Sequence, residues 1–258
     1  MSSTQTTVMG QLRDAYRRVE DRIAEAAQRA ERRREDVLMV AVTKTASPDQ
    51  IRALIDMGQV DFGENRVQHL AQRAAALEEF LSRRRTLGGA ASNQSTTTEV
   101  RWHMVGHLQR NKVKTVVPLV KLIHSVNSLR LAEELHAYGG RIDRVIDILL
   151  QINTTGDPAR QGVAAPAVIH LAEQIDTMMY LRLRGIMAMA PHSDNPEQAR
   201  PTFAQAAEIF NEIQTHKSGG PQFNILSMGM TNDFEIAIEE GGNVVRIGRA
   251  LFGDTEEN

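Results

Sequence analysis

The sequence contains no cysteine, almost no net charge and no long apolar run. The lack of cysteine excludes a disulfide scaffold, a thiolate metal site and a cysteine nucleophile. Thirty Lys plus Arg against 32 Asp plus Glu remove the main electrostatic argument for a nucleic-acid-binding protein. No stretch approaches the roughly 20 apolar residues that cross a membrane, and no basic-then-apolar secretory signal is present. We therefore expect a soluble cytoplasmic protein without a membrane or nucleic-acid partner.

The chain does contain a repeated alternation of apolar strands and amphipathic helices. Its 258 residues are 41% apolar, which suffices for a sizeable core. From residue 37 onward, short apolar runs typical of buried parallel strands alternate with helix-like runs. The predicted strands are residues 37–42, 60–63, 101–105, 122–126, 145–152, 181–188, 223–226 and 244–247. Eight βα units in about 250 residues favour a single (β/α)8 barrel of the TIM type, with a doubly wound open sheet as the competing fold.

Helix signals lie between the predicted strands. Ser47 followed by Pro48 fits an N-cap and first-turn pair, and Gly58 suits the end of that helix. A long helix is predicted from about residue 64 to residue 85. The other helix-like runs are residues 129–137, 166–177, 196–216 and 233–239.

Two segments lie outside the strand–helix alternation. Apolar residues at steps of three and four predict a helix over residues 8–30. We treat residues 1–36 as a helical N-terminal extension of one domain that spans residues 1–258. Residues 86–99 are mostly small and polar, which predicts a flexible surface loop, as a tolerated insertion rather than a lid.

The motifs of common nucleotide and hydrolase sites are missing from this sequence. No G-x-G-x-x-G, P-loop or G-x-S-x-G pattern occurs. His103 and His107 are four residues apart, which on a helix would suit a metal pair. They lie instead on a predicted strand and the loop after it. We therefore predict no metal site and assign no catalytic triad.

The first candidate site residue is Lys44, directly after the first predicted strand. Active groups of a (β/α)8 barrel lie at the carboxyl ends of the strands. Partial desolvation beside the dry core would favour the neutral amine, which can form a Schiff base. A lysine at a strand end can equally extend its amine into water while its stem packs below. Position alone leaves both interpretations open.

The ends of the last two predicted strands form a second candidate site. Barrels often bind phosphate there, at the loops after the seventh and eighth strands. Hydroxyl groups, glycines that permit close backbone approach, and N–H groups are supplied by Ser227, Gly229, Thr231, Gly248 and Arg249. Asn232 and Asp233 also suit caps of the following helix, and both interpretations can hold together. Arg246 ends an apolar strand and needs a partner if it is buried.

A lysine after the first strand and a phosphate cradle after the last two together indicate pyridoxal phosphate (PLP). Seven stretches between residues 37 and 253 have a familiar order: 41–45, 62–68, 102–112, 124–128, 183–187, 227–233 and 245–253. With these stretches, the sequence resembles the pyridoxal phosphate homeostasis protein family (YggS/PROSC-like). That resemblance implies a fold like the N-terminal barrel of alanine racemase.

The resemblance also implies a role for each candidate residue. It implies that Lys44 forms the Schiff base with PLP and that Arg246 faces the pyridine nitrogen. The implied phosphate ligands are the hydroxyls of Ser227 and Thr231, within the loop that contains Gly229, and the N–H groups of Gly248 and Arg249. Asn65 and His103 match family positions near the cofactor, and Met187 is implied to line the mouth.

Two positions depart from the family pattern. Thr231 stands where the family commonly has serine, and this exchange preserves the hydroxyl. Arg160 stands where the family usually has lysine, so positive charge remains but the amine does not. The insertion over residues 88–98 is longer than the family pattern implies.

The implied site favours a carrier over an enzyme. Guanidinium only donates hydrogen bonds, so Arg246 would keep the pyridine nitrogen unprotonated and make PLP a weaker electron sink. By the resemblance, a racemase of this kind would take its second acid/base, a tyrosine, from a separate C-terminal domain. The chain ends at Asn258, so we expect that tyrosine to be missing. We expect no catalytic residue and a monomer that stores PLP and delivers it to apo PLP-dependent enzymes. The alternatives are a PLP-dependent racemase or lyase and a cofactor-sensing interaction module.

Overall fold

Parallel strands form a closed barrel at the centre of the molecule. The computed structural model describes residues 3–87 and 99–253, and within these ranges eight strands close the barrel. In chain order the strands are β1 (Leu38–Val42), β2 (Asp61–Glu64), β3 (Arg101–Met104), β4 (Leu122–Val126), β5 (Ile146–Asn153), β6 (Val163–Ala164), β7 (Leu181–Met187), β8 (Ile225–Ser227) and β9 (Val244–Ile247). The two-residue β6 pairs with the end of β5 outside the ring.

The strand order confirms the predicted architecture. Neighbours run β4-β3-β2-β1-β9-β8-β7-β5, and β4 pairs with β5 to close the ring. Each predicted strand corresponds to one barrel strand, so the open sheet is excluded. Because every pair in the ring is parallel, the carboxyl ends of all its strands face the same opening.

Helices surround the barrel in the expected alternation. They are α1 (Ser3–Arg29), α2 (Pro48–Asp56), α3 (Val67–Leu87), α4 (Val113–Val116), α5 (Leu129–Ile142), α6 (Val168–Asp176), α7 (Arg200–Thr215), α8 (Phe234–Glu239) and α9 (Arg249–Phe252). In the described ranges, none of these helices combines the length and apolar character that a bilayer crossing requires. The loop predicted over residues 86–99 falls largely outside the description, since residues 88–98 are not covered.

Two local predictions have opposite outcomes. The Ser47 cap is confirmed, because its side chain accepts the Gln50 N–H while the Gln50 side chain accepts the Ser47 N–H. The long helix does not start at residue 64, because Glu64 is the last residue of β2. Its carboxylate accepts the N–H of Asn65, and the helix begins at Val67.

Helix α1 packs against α8 and α9 on the outside of the barrel. Its apolar stripe buries Leu12, Val19 and Ile23. Arg22 forms an ion pair with Glu235 of α8 at 2.6 Å. The N-terminal extension is therefore an integral part of the outer helical layer.

Candidate functional site

A cavity of about 1110 Å³ opens at the carboxyl end of the barrel. Residues that follow β1, β2, β3, β7, β8 and β9 line its wall. The predicted site residues in this wall are Lys44, Asn65, Thr231, Arg246, Gly248 and Arg249. Barrel closure thus brings together candidates from the two ends of the chain.

The cavity wall favours an anionic ligand. Its cationic side chains are Lys44, Arg66, Arg160, Arg246 and Arg249. Among the lining residues in the described part of the chain, Asp233 is the one carboxylate. Burial raises the pKa of the Asp233 carboxyl, although the Met230 backbone N–H and the charge of Arg246 oppose that shift. A low-dielectric concavity with this charge imbalance attracts anions.

The loop that carries Lys44 is held in place by the ion pair between Glu64 and Arg73. The Glu64 carboxylate accepts the Thr43 hydroxyl at 3.0 Å and pairs with the Arg73 guanidinium. Arg73 also donates to the Ala46 carbonyl at 3.1 Å. Both sides of Lys44 are therefore held by hydrogen bonds, while Lys44 itself is exposed to the cavity.

Three buried polar atoms in the same wall lack hydrogen-bond partners. Within residues 3–87 and 99–253, the unpartnered buried side-chain atoms are Thr45 Oγ1, Asn65 Oδ1, His69 Nδ1 and Ser125 Oγ. The first three belong to cavity-lining residues. Buried polar atoms are rarely left unpaired in folded proteins. Their concentration beside Lys44 suits a ligand that supplies the missing hydrogen bonds.

The opposite wall is a tight loop between β8 and α8. Gly229 adopts a φ of +88°, and a Cβ there would lie 2.6 Å from the Ala237 Cβ and 2.8 Å from the Phe234 Cα. Asp233 occupies the N-cap position of α8, but its carboxylate accepts the Met230 N–H at 2.6 Å and makes no side-chain cap bond to α8. The loop is therefore closed by Asp233 and requires glycine at position 229.

Thr231 contacts the first turn of α9. The Thr231 Oγ1 accepts the Ala250 N–H at 3.3 Å, which leaves its own hydrogen for donation. Gly248 is the N-cap residue of α9, and Arg249 is its first residue. A hydroxyl donor thus lies next to the first turn of a helix, at the cavity wall.

Arg246 forms part of the cavity floor and is almost completely buried. Its Nη1 donates to Ser227 Oγ at 2.7 Å, and its Nη2 donates to the Ala188 carbonyl at 3.0 Å. Burial lowers the pKa of the Arg246 guanidinium to about 10, and the Asp233 carboxylate opposes this shift. The side chain remains a cation at neutral pH and offers further N–H donors to the cavity.

Ser227 and His103 lie below the cavity, inside the barrel. Ser227 is fully buried, and its Oγ is 3.0 Å from Nδ1 of His124. The His124 Nε2 is 2.9 Å from Nδ1 of His103, whose Nε2 is 3.0 Å from Asp61 Oδ1. The Ser227 hydroxyl is thus engaged with Arg246 and His124 rather than placed in the cavity wall.

The charges within the barrel follow from this hydrogen bonding. Burial lowers the pKa of the His124 imidazole well below its ordinary value, and the charge of the nearby Arg246 lowers it further. Burial alone would raise the pKa of the Asp61 carboxyl, but hydrogen bonds from His103 and Arg101 outweigh it and hold the pKa low. At neutral pH, His124 is neutral and Asp61 is ionised.

Several residues of this site were not identified from the sequence. Asp61, Glu64, Arg73 and His124 carried no predicted role. Asp61, Glu64 and His124 each place a polar or charged side chain in an apolar strand, whereas Arg73 lies on α3. That interruption was the available signal. Met187 does not line the mouth as implied, because it packs with Leu122 and Leu149 in the barrel interior.

The described residues contain no group of three or more His, Cys, Asp or Glu side chains that could hold a metal ion. The donors that do converge are an amine, a guanidinium and a hydroxyl at the carboxyl-end cavity. An amine can attack a carbonyl group, while the other two can bind an anion and a ring nitrogen. The site therefore suits a small anionic carbonyl compound.

Comparison with known proteins identifies the family. The family model "Alanine racemase, N-terminal domain" matches residues 16–256. A relative named pyridoxal phosphate homeostasis protein, from Aquifex aeolicus, is 34% identical over 241 residues, which are 92% of this chain and 95% of the relative. These matches confirm the resemblance found in the sequence.

Solved structures agree with this assignment. PipY of Synechococcus elongatus, solved with PLP bound, has a TM-score of 0.69 and 31% identity, and the match covers 84% of this chain and 93% of PipY. An alanine racemase from Clostridium difficile shares the fold at a TM-score of 0.67 with 13% identity, covering 96% of this chain and 58% of the racemase. The chain belongs to the alanine racemase N-terminal domain family and, within it, to the pyridoxal phosphate homeostasis proteins.

Proposed function

We propose that this protein binds PLP in the carboxyl-end cavity and carries it on Lys44 for PLP homeostasis. The observation that carries the proposal is the convergence of Lys44, Arg246 and Thr231 on one cavity. The PLP-bound relative PipY supports the ligand, and the curated relatives named pyridoxal phosphate homeostasis proteins support the role.

The residues present fit PLP on structural grounds. PLP is an anion with an aldehyde, a ring nitrogen and several oxygens, and the cavity wall is predominantly cationic. The unpartnered Thr45 Oγ1, Asn65 Oδ1 and His69 Nδ1 offer hydrogen bonds to ring substituents. The Gly229 turn leaves no room for a Cβ, because Ala237 and Phe234 of α8 occupy that space, so this glycine fixes the loop that carries Thr231.

Each residue has a distinct part in this proposal. Lys44 supplies the amine, and Arg246 donates to the pyridine nitrogen. Phosphate is held by the Thr231 hydroxyl and the N–H groups of Gly248 and Arg249. Ser227, whose oxygen accepts from Arg246, supports that guanidinium from below. The aldehyde of PLP condenses reversibly with a lysine amine, so storage and release need no other chemistry.

The tyrosines of the described chain favour the carrier over the racemase. Tyr16 reaches Gln59 at 3.5 Å, Tyr138 reaches the Lys114 carbonyl, and Tyr180 packs beside His136. None is among the described residues that line the cavity. A second acid/base of the racemase type is thus not placed opposite Lys44 by these side chains.

The protein would limit free PLP and deliver it to apo PLP-dependent enzymes. We place this role in the cytoplasm and expect a monomer. Transfer and turnover are separated by two assays on the PLP-loaded protein. A carrier activates an apo-enzyme and does not exchange the α-proton of an amino acid with deuterium, whereas a racemase exchanges it rapidly.

The test of the binding site is reduction with borohydride after incubation with PLP. We expect a yellow wild type and a reduced adduct on Lys44, and no adduct for Lys44→Ala. Lys114→Ala, an exposed lysine of α4, serves as the matched control and should behave as wild type. A wild type that stays colourless with added PLP would contradict the proposal.

A further inference from the structure

Five side chains form a continuous hydrogen-bonded chain through the barrel, which we term the barrel relay. Its members are Asp61 of β2, His103 of β3, His124 of β4, Ser227 of β8 and Arg246 of β9. The successive links measure 3.0, 2.9, 3.0 and 2.7 Å. Every member is at most 4% exposed. The relay begins at the first residue of β2, at the amino end, and finishes at the cavity floor.

The two ends of the barrel relay fix the direction of every link. Arg246 can only donate a hydrogen bond, and the ionised Asp61 carboxylate can only accept one. Arg101 pairs with Asp61 at 2.6 Å and keeps the carboxylate ionised from outside the relay. The interior members are therefore placed between an obligatory donor and an obligatory acceptor.

With both imidazoles neutral, one arrangement of hydrogens satisfies all four links. His103 donates from Nε2 to Asp61, so its Nδ1 must accept from Nε2–H of His124. The Nδ1 of neutral His124 then accepts the Ser227 hydroxyl, and Ser227 Oγ is left to accept from Arg246. Both imidazoles are in the Nε2–H form.

We propose that Asp61 is a positioning residue for Arg246, acting through the barrel relay from the opposite end of the barrel. Its carboxylate directs the Ser227 hydrogen away from the guanidinium, which leaves the Ser227 oxygen as a full acceptor for Nη1. With Nη1 and Nη2 held by Ser227 and Ala188, the remaining Arg246 donors are aimed at the ligand. This inference rests on the proposed PLP site.

Replacing Asp61 by leucine removes the obligatory acceptor. The buried Nε2–H of His103 then has no partner, and an unpaired buried donor is costly. Transfer of each imidazole hydrogen to Nδ1 removes that cost, because His103 then donates to His124 and His124 donates to Ser227. The Ser227 hydrogen is displaced toward the guanidinium, and the link to Arg246 weakens.

The first test measures imidazole ¹⁵N and ¹H shifts of the PLP-free full chain. Wild type should show His103 and His124 as Nε2–H tautomers, and Asp61→Leu should show both as Nδ1–H. Asp147→Leu is the matched control: Asp147 lies near the same barrel end, pairs with Arg182 and Arg184, and is outside the relay. It should retain both Nε2–H forms. An Nδ1–H form of either histidine in wild type overturns the inference, even if Asp61→Leu does not fold.

The second test titrates PLP into the same three proteins by absorbance. We expect the apparent dissociation constant of Asp61→Leu to rise about tenfold, the effect of weakening one charge-assisted hydrogen bond, and that of Asp147→Leu to stay unchanged. A tautomer switch without a change in PLP affinity overturns the positioning role. Wild type that shows the expected tautomers but binds no PLP overturns the proposed function and leaves the direction of the relay standing.

Discussion

Strand β2 carries a buried carboxylate at each end, and the two serve different layers of the molecule. Asp61 begins the strand, and Glu64 ends it. Successive residues of a strand alternate faces, so residues three apart lie on opposite sides. Asp61 enters the barrel interior and contacts His103, whereas Glu64 faces the helical layer and contacts Arg73 of α3.

The comparison shows how one strand supports two parts of the candidate site. The Glu64 pair holds the loop that carries Lys44, from outside the barrel. Asp61 holds Arg246 through the barrel relay, which crosses the interior of the barrel. Glu64 therefore acts at the carboxyl end of the barrel, where it lies. Asp61 acts on that same end from the amino end of the barrel.

The largest expected difference between the two carboxylates is the loss of stability when the arginine partner of each is removed. Arg73→Leu leaves the fully buried Glu64 without its cation, and we expect a loss of about 3–5 kcal/mol in the free energy of unfolding. Arg101→Leu should cost less, about 1–2 kcal/mol, because Asp61 keeps the His103 hydrogen bond and Arg101 is half exposed. Urea denaturation measures both variants, and equal losses would contradict the distinction.

Glycine substitution compares the two ends of the barrel. Gly229→Ala in the cavity loop meets Ala237 and Phe234 within 2.8 Å, and we expect a loss of about 2–4 kcal/mol together with weaker PLP binding. Gly58→Ala, which precedes β2 at the amino end, also has a positive φ but meets nothing within 4 Å. It should cost only about 1 kcal/mol and leave PLP affinity unchanged. A loss of PLP affinity in Gly58→Ala would contradict the prediction that, of these two glycines, only the one in the cavity loop affects PLP binding.

Acidification should weaken the interior layer through His124. Its folded pKa lies below the unfolded value, so on acidification the unfolded chain binds a proton that the folded chain refuses. Stability is therefore present above about pH 6.5 and falls below it, by up to about 1.4 kcal/mol per pH unit. Between pH 7 and pH 5, wild type should therefore lose more stability than His124→Gln. Parallel pH dependences of the two proteins in urea denaturation would show that His124 titrates normally.

The smallest expected effect concerns the helix that follows the Lys44 loop. Ser47→Ala removes the side-chain cap of α2, and we expect a loss of about 1 kcal/mol. The Glu64–Arg73 pair still holds Thr43 and Ala46, so the borohydride adduct on Lys44 should form as in wild type. A lost adduct would mean that the cap, rather than the ion pair, positions the loop.

The sequence alone determined the order of strands and helices and the position of Lys44. Short apolar runs bounded by turn residues are local signals, so the barrel strands and the Ser47 cap followed from nearby residues. The loops after β8 and β9 were also found locally, from hydroxyl and glycine residues at strand ends. These features depend on neighbours in the chain.

Only the tertiary structure decided which polar side chains are partners. His103 contacts Asp61 across 42 residues, and His124 contacts Ser227 across 103 residues. These pairs exist because closure of the ring brings inward-facing side chains of distant strands within hydrogen-bond distance. A linear sequence shows that His124 interrupts an apolar strand, but the partner that satisfies a buried polar group is chosen by the geometry of the closed barrel.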